Sequence, residues 1–280
     1  MKVIRSLPAL EKALTRASRP LGFVPTMGYL HEGHLSLVRL AKKENRSVAA
    51  SVFVNPMQFG PGEDLDRYPR DFARDRKLLE SVGADFLFFP SVKDLYPAGF
   101  QTAVTVGELS KPLCGVSRPV HFRGVATVVA KLLNLVRPDT LYLGQKDYQQ
   151  FRVVEQMVGD LGIPVRVRMG PTVREKDGLA MSSRNVFLKP DERREAAGIH
   201  AALAGVARRV REGERGALAL KRELRDRLKA LKGAKVDYAE IVDARTLGVV
   251  VKLQARSRIL AAAAVRFGPT RLIDNVLIEV

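Results

Sequence analysis

From Leu21 to Met169 the chain alternates short runs of small and β-branched residues with longer stretches of helical periodicity, a rhythm that admits few folds. Leu21–Pro25, Ser47–Val54, Phe86–Phe89, Thr140–Gly144 and Pro164–Met169 read as strands. Between them, Gly33–Lys43 places Leu35, Val38 and Ala41 on one helical face, and Asp71–Val82 offers Phe72, Leu78, Leu79 and Val82 to a core. Val125–Leu135 and Tyr148–Gly159 are further helices. Ser47–Val54 shows no polar alternation, as expected of a strand buried on both faces. Strand and helix in turn predict an α/β fold: a Rossmann-like, doubly wound parallel sheet with helices on both faces. Ligands bind beyond the carboxyl ends of such strands, and here those ends run into polar or glycine-bearing segments.

The pattern changes near Gly178. Pro190 precedes a charged run and suits a helix start. Ile199, Leu203, Val206 and Val210 form one helical stripe, and Leu220, Leu224, Leu228 and Leu231 a second. Val236–Val242, Ser257–Phe267 and Arg271–Val280 then read as strands. The expected organisation is a Rossmann-like domain over residues 1–177 and a smaller α+β domain over 178–280.

With 280 residues and 46% apolar content, the chain can bury a sizeable core. No apolar run reaches bilayer length, so no membrane association is expected. The first ten residues lack the apolar core of a signal peptide. Cys114 is the only cysteine, which excludes an internal disulfide and suits a reducing cytoplasm. The net charge of +17 has two readings, a nucleic-acid partner or a solvated surface plus a site for anions. Ten Lys/Arg and four Asp/Glu lie at helical spacing between Arg208 and Lys232, a pattern compatible with either. No aromatic RNA-binding motif, GXXG loop or zinc-finger spacing accompanies the charge, so no nucleic-acid partner is expected.

Five clusters carry chemistry. PTMGYLHEGHLSLV (Pro25–Val38) joins a strand to a helix, with Gly28 and Gly33 allowing tight turns. His31 and His34, three apart on a first helical turn, project the same way at a helix start that favours phosphate. They could instead be two surface histidines, or half of a zinc site, but no cysteine lies near and no metal cage is expected. FVNPMQF places the amides of Asn55 and Gln58 beside a turn, where they suit a small substrate bearing hydroxyls and a carboxylate or simply cap a loop. Arg118 and His121 precede an apolar helix, a basic loop that is either an anion site or solvated. GQKDYQQ (Gly144–Gln150) carries Lys146, a point charge suited to phosphate, although Lys146 and Asp147 could be an ordinary ion pair. In PTVREKDGLAMSSRN, the Ser182 and Ser183 hydroxyls and the Arg184 guanidinium make a triphosphate clamp or a Ser-rich linker.

HEGH matches the HxGH signature of the nucleotidyltransferase superfamily. The longer string PTMGYLHEGH, with FVNPMQF, EDLDRYPRD, RPxHFxGV, GxKDxxQ and MSSR, resembles the pantothenate synthetase (pantoate–β-alanine ligase) family. These motifs span residues 25 to 188. The resemblance implies an ATP-dependent, AMP-forming condensation of pantoate with β-alanine through a pantoyl adenylate, with ATP as substrate and Mg2+ as cofactor. It implies catalytic roles for His31, His34, Lys146, Ser182, Ser183 and Arg184. ATP would contact Met27, Gly28, His34, Gly144, Lys146, Asp147, Met181, Ser182, Ser183 and Arg184. Pantoate would contact Met27, Asn55, Gln58, Arg118, His121 and Gln150. MSSR would act as the KMSKS loop does in class I aminoacyl-tRNA synthetases, residues 178–280 would form a lid, and the protein would be a cytoplasmic homodimer. Gln145 stands where many members carry Glu.

Overall fold

Six strands pair in parallel in the computed structural model, which describes Met1–Val280. They are β1 (Lys2–Ile4), β2 (Leu21–Thr26), β3 (Ser47–Val52), β4 (Phe86–Phe88), β5 (Thr140–Gly144) and β6 (Arg166–Gly170), in the order β1-β4-β3-β2-β5-β6. The connecting helices are α1 (Leu7–Leu14), α2 (Glu32–Glu44), α3 (Phe72–Ser81), α4 (Val92–Leu95), α5 (Cys114–Ser117), α6 (His121–Val136) and α7 (Tyr148–Asp160). Val24, Val48, Ala50, Val52, Leu87 and Tyr142 form one apolar layer with Val38 and Ala41 of α2 and Leu79 of α3. Leu21, Phe23, Ala49 and Leu141 alternate with them, point to the other face and are as deeply buried. Both faces are therefore covered, as the unbroken apolar runs require. The chain steps from β2 to β3 to β4 in one direction and then places β5 on the other side of β2. The switch point, where open α/β sheets bind ligands, lies between the carboxyl ends of β2 and β5.

Helix α2 shows how local sequence positions the site. Leu35, Leu37, Val38 and Ala41 are buried, and each large side chain contributes about 1.5–3 kcal/mol by leaving water. The helix stops where Asn45 turns extended and its side chain donates to Ala41 O at 2.8 Å.

The molecule divides into two compact units. The first comprises Met1–Ser110, Arg118–Gln145 and Gln150–Pro171; the second comprises Lys111–Ser117, Lys146–Gln149 and Thr172–Val280. In the second, β7 (Ala234–Asp243), β8 (Arg258–Phe267) and β9 (Thr270–Glu279) form an antiparallel sheet. Helices α8 (Pro190–Ala196), α9 (Gly198–Arg211) and α10 (Ala217–Lys229) precede it. Ile199, Leu203, Val206 and Val210 of α9 and Leu220, Leu224 and Leu228 of α10 share one core with the sheet. Leu231 falls beyond the end of α10 but packs on that core. Several basic residues of α9 and α10 are paired on the surface, among them Arg208 with Glu212, Arg227 with Glu223 and Lys221 with Glu240. No helix is long and apolar enough to cross a membrane.

Two differences from the sequence expectation matter for the site. The first strand, β1, is three residues long, too short to show alternation. Helix α6 begins at His121, not after Gly124, so that glycine lies inside its first turn.

Candidate active site

At the end of β2 the Thr26 hydroxyl donates to Ser51 O (2.7 Å) and accepts from Gly28 N (3.2 Å). Gly28 and Tyr29 adopt left-handed backbone, with φ of 85° and 50°. A Cβ on Gly28 would lie 2.9 Å from both Asp75 Oδ2 and Val52 Cγ1, so space as well as φ calls for glycine. Asp75, buried on α3, then accepts from Tyr29 N (2.8 Å) and Leu30 N (2.7 Å). Burial raises the Asp75 carboxyl above its usual range, and the two backbone donors offset part of that rise. Met27, Gly28, Phe53, Val54, Arg70 and Asp75 border a cavity of about 380 Å³, of small-molecule size.

The loop delivers His31 as the N-cap of α2. Its Nδ1 accepts from Gly33 N at 3.2 Å, and His34 Nδ1 accepts from His31 N at 3.3 Å. This is capping-box geometry with imidazoles in place of Ser and Glu. A backbone N–H only donates, so both Nδ1 atoms are acceptors and each neutral ring carries its proton on Nε2. The rings lie against each other at a tilt of 44°, with centroids 4.1 Å apart. The helix start thus holds two imidazoles in one tautomer, each with Nε2 as its donor.

Gln58 is the centre of a second constellation in the same unit. Its carbonyl accepts from Arg118 Nη2 (3.2 Å) and His121 Nδ1 (3.0 Å). Its side chain donates to Met27 Sδ (2.9 Å) and accepts from Asn55 Nδ2 (3.1 Å). Asn55, 1% exposed, also donates to Gly124 O (3.1 Å) and accepts from Met57 N and the Tyr96 hydroxyl. Burial pushes the Tyr96 phenol well above its usual range, so it stays a neutral donor. The structure therefore gathers Met27, Asn55, Gln58, Arg118 and His121 into one network. Within it, Asn55, Arg118 and His121 hold Gln58. Gln150 lies on α7 and is partly buried, and Gly144 closes β5 at the switch point.

Arg118 is held by Glu63 through Nε–Oε1 (2.8 Å) and Nη2–Oε2 (2.5 Å) bonds. Burial pushes the Glu63 carboxyl up, but the hydrogen bond and charge of Arg118 outweigh it and hold the carboxyl below its usual range. The sign follows. A folded-state pKa below the unfolded one stabilises the fold fully above the unfolded value, near ~4.3, and less as pH falls through the folded value. Glu63→Gln should therefore cost about 1–3 kcal/mol at pH 7. That difference should shrink below about pH 4. Denaturant unfolding of both proteins from pH 3 to 7 checks this; a pH-independent difference would contradict it.

The second unit carries the other nominated residues. Lys146 and Asp147 form a turn, with Lys146 Nζ 3.7 Å from Asp147 Oδ2. Arg174 and Ala180 bridge in antiparallel fashion, Met181 N donates to Val173 O (3.0 Å), and Gly178, at φ 94°, turns the chain between them. This hairpin leads into Ser182, whose hydroxyl caps the short helical turn Ser183–Phe187 by accepting from Arg184 N (3.2 Å). Ser183 is buried, 7% exposed. The serines and Arg184 thus sit on an ordered turn. Cys114 is buried beside Tyr238 and Arg271, in keeping with a packing role.

The sequence reading assigned no role to Asp75, Glu63, Tyr96 or Gly124. Glu63 and Gly124 lie inside the motifs EDLDRYPRD and RPxHFxGV, and Gly124 also stands beside an apolar helical pattern, which usually marks close packing. A Cβ there would lie 2.2 Å from Met57 O and 2.5 Å from Gln58 N.

The helix that starts at the switch point of the parallel sheet is capped by the two imidazoles of the HEGH motif. The family model described as pantoate-beta-alanine ligase matches residues 2–277. The chain is 49% identical to a pantothenate synthetase of Acetivibrio thermocellus, over 100% of this chain and 99% of that one. It superposes on the crystal structure of pantothenate synthetase from Thermus thermophilus with a TM-score of 0.95 at 48% identity, with all of both chains covered. The pantoate-beta-alanine ligase of Francisella tularensis, solved with β,γ ATP and β-alanine, gives a TM-score of 0.80 at 35% identity over 99% and 97% of the two chains. The chain belongs to the pantoate–β-alanine ligase family.

Proposed function

We propose that the protein condenses pantoate with β-alanine at the expense of ATP, forming pantothenate, AMP and pyrophosphate by way of pantoyl adenylate. A pantoate carboxylate oxygen attacks the α-phosphorus of ATP, and the bond to pyrophosphate breaks. The uncharged amine of β-alanine then attacks the acyl carbon, loses its proton to the surroundings, and AMP leaves with its bridging oxygen. No enzyme nucleophile is required; the protein orients the reactants and stabilises charge.

The observation that carries this reading is the imidazole pair. Two Nε2–H groups at a helix N-terminus suit the charge that builds on phosphate oxygens during transfer. Met27 and Gly28 contribute to the ATP side, with Gly144 at the neighbouring strand end. Lys146, Ser182, Ser183 and Arg184 neutralise the triphosphate, Met181 lines it, and Asp147 accepts from the nucleoside. Met27, Asn55, Gln58, Arg118, His121 and Gln150 bind pantoate, and Asn55, Arg118 and His121 also hold Gln58 in place. No three His, Cys, Asp or Glu side chains group as a metal cage. Magnesium would arrive with ATP and neutralise phosphate charge, held mostly by phosphate oxygens and water as is usual for this ion. The protein works in the cytoplasm as a homodimer, which sedimentation at micromolar concentration checks.

The direct test measures AMP and pyrophosphate with Mg-ATP, adding pantoate and β-alanine separately and together. Pyrophosphate should appear with pantoate alone in proportion to enzyme, and sustained AMP release should need both. Sustained AMP release with neither or only one acid would overturn the reading.

A substitution separates the two jobs of His34. Glutamine at the third helical position preserves a capping box but supplies no imidazole donor. His34→Gln should stay within about 1 kcal/mol of wild-type stability. Pyrophosphate formation should fall about 10²–10³-fold, as for loss of one transition-state donor. A thermal melt and a pyrophosphate assay on one preparation decide it; an unchanged rate would remove His34 from the chemistry.

A further inference from the structure

Between Leu272 and Ile278, strand β9 is apolar except for two adjacent buried residues, Asp274 and Asn275, each 4% exposed. Polar side chains in a strand core are costly unless bonded, so their partners are informative. Successive strand residues point to opposite faces. The residues opposite them on β8 are Ala263 and Ala262, which leave room for both.

Asp274 takes Arg174 in a two-point pair, Nη1–Oδ2 at 2.6 Å and Nη2–Oδ1 at 3.0 Å. Arg174 Nη1 also donates to Gly178 O at 3.1 Å, so this pair ties the hairpin that leads into Ser182–Arg184 to β9. Asn275 reaches elsewhere. Its Nδ2 donates to the carbonyl oxygen of Lys146 at 2.9 Å, across 129 residues of sequence. The two bonds are mechanically linked, because Asn275 N also donates to Asp274 Oδ1 at 2.8 Å. Both segments that carry the proposed triphosphate contacts of this unit are therefore fastened to neighbouring residues of one rigid strand.

We propose that Asp274 and Asn275 are positioning residues that hold Lys146 and the Ser182–Arg184 turn in mutual register for ATP. This rests on the reading above that those side chains meet the phosphates. Neither residue touches substrate. Asn275 acts through the Lys146 backbone and Asp274 through Arg174. A lysine side chain is long and flexible, so fixing its backbone removes much of the search for the phosphate. A misplacement of about 1 Å at such a group can cost about 10²-fold in rate.

The test uses Asn275→Asp, which keeps size but cannot donate, and Asn275→Ala, each alone and combined with Lys146→Ala. Thermal melts establish a working temperature at which all are folded. Pyrophosphate formation in Asn275→Asp and Asn275→Ala should fall about 10–10²-fold. KM for ATP should rise and KM for pantoate should stay within about twofold. Adding either Asn275 change to Lys146→Ala should give no further loss, because residues acting as one unit are not additive. Wild-type rates in both single variants would overturn the proposal. So would a full additional loss in the Lys146→Ala background, or a rise in pantoate KM equal to that for ATP, since either marks a general structural role. The underlying reading is judged separately: if Lys146→Ala alone leaves pyrophosphate release intact, the phosphate role of Lys146 fails. If Lys146→Ala is impaired while both Asn275 variants are normal, only the positioning role fails.

Discussion

Lys146→Ala should lower pyrophosphate formation at saturating pantoate by about 10²–10³-fold while leaving the fold intact. The fold is spared because the side chain makes only a 3.7 Å contact with Asp147, itself 46% exposed. Ion pairs with so exposed a partner contribute about 0–1 kcal/mol. The backbone carbonyl that anchors Lys146 to Asn275 is untouched by the substitution. In the proposed phosphate role the rate suffers, because an ammonium facing transferring phosphates acts most strongly as negative charge develops and water is excluded. Quenched-flow measurement of pyrophosphate beside a circular-dichroism melt checks both halves. A folded variant with near-normal release would take Lys146 out of the chemistry.

Gly124→Ala should damage the proposed pantoate side by another route. The added methyl would lie 2.2 Å from Met57 O, 2.4 Å from Met57 C and 2.5 Å from Gln58 N, all of them backbone atoms. Such an overlap is relieved only by moving the turn Pro56–Gln58 away from α6, at about 1–3 kcal/mol. The same movement stretches the Asn55 bond to Gly124 O and shifts Gln58 relative to Met27. kcat/KM for pantoate should fall about 10²-fold. KM for ATP should change little, in contrast to the Asn275 variants. Steady-state kinetics with each substrate varied decides it, and a normal pantoate KM in a folded Gly124→Ala protein would show that Gln58 does not depend on this contact.

Long-range pattern makes much of the fold legible. Buried strands in a parallel sheet have no polar face, so Ser47–Val52 stands out, and the stripes of α9 and α10 need only the helical period. The imidazole pair and the Asn55–Gln58 turn are visible because each combines rare residue types at short spacing, and Ser182–Arg184 because it completes the MSSR motif. What stays hidden is long-range bonding. Asp75 reads as one more acid on an amphipathic helix, and nothing local says that its carboxylate clamps two amides 45 and 46 positions earlier. Arg118 and His121 read as a basic loop, an anion site or solvated, and nothing local says that both bind the carbonyl of Gln58. The start of α6 departs from expectation because glycine usually ends or precedes a helix, and here a tertiary approach overrides that propensity. Asp274 and Asn275 stand out in the apolar middle of β9, but the sequence does not say what they bind.

The central claim is that pantoate is activated by bonding its own carboxylate oxygen to the α-phosphorus of ATP. Pantoate labelled with oxygen-18 in both carboxylate positions, turned over with β-alanine and Mg-ATP, tests it directly by mass spectrometry of the products. One labelled oxygen should appear in AMP and the other in the amide carbonyl of pantothenate. Label in phosphate or pyrophosphate, or AMP free of label while pantothenate forms, would contradict the account.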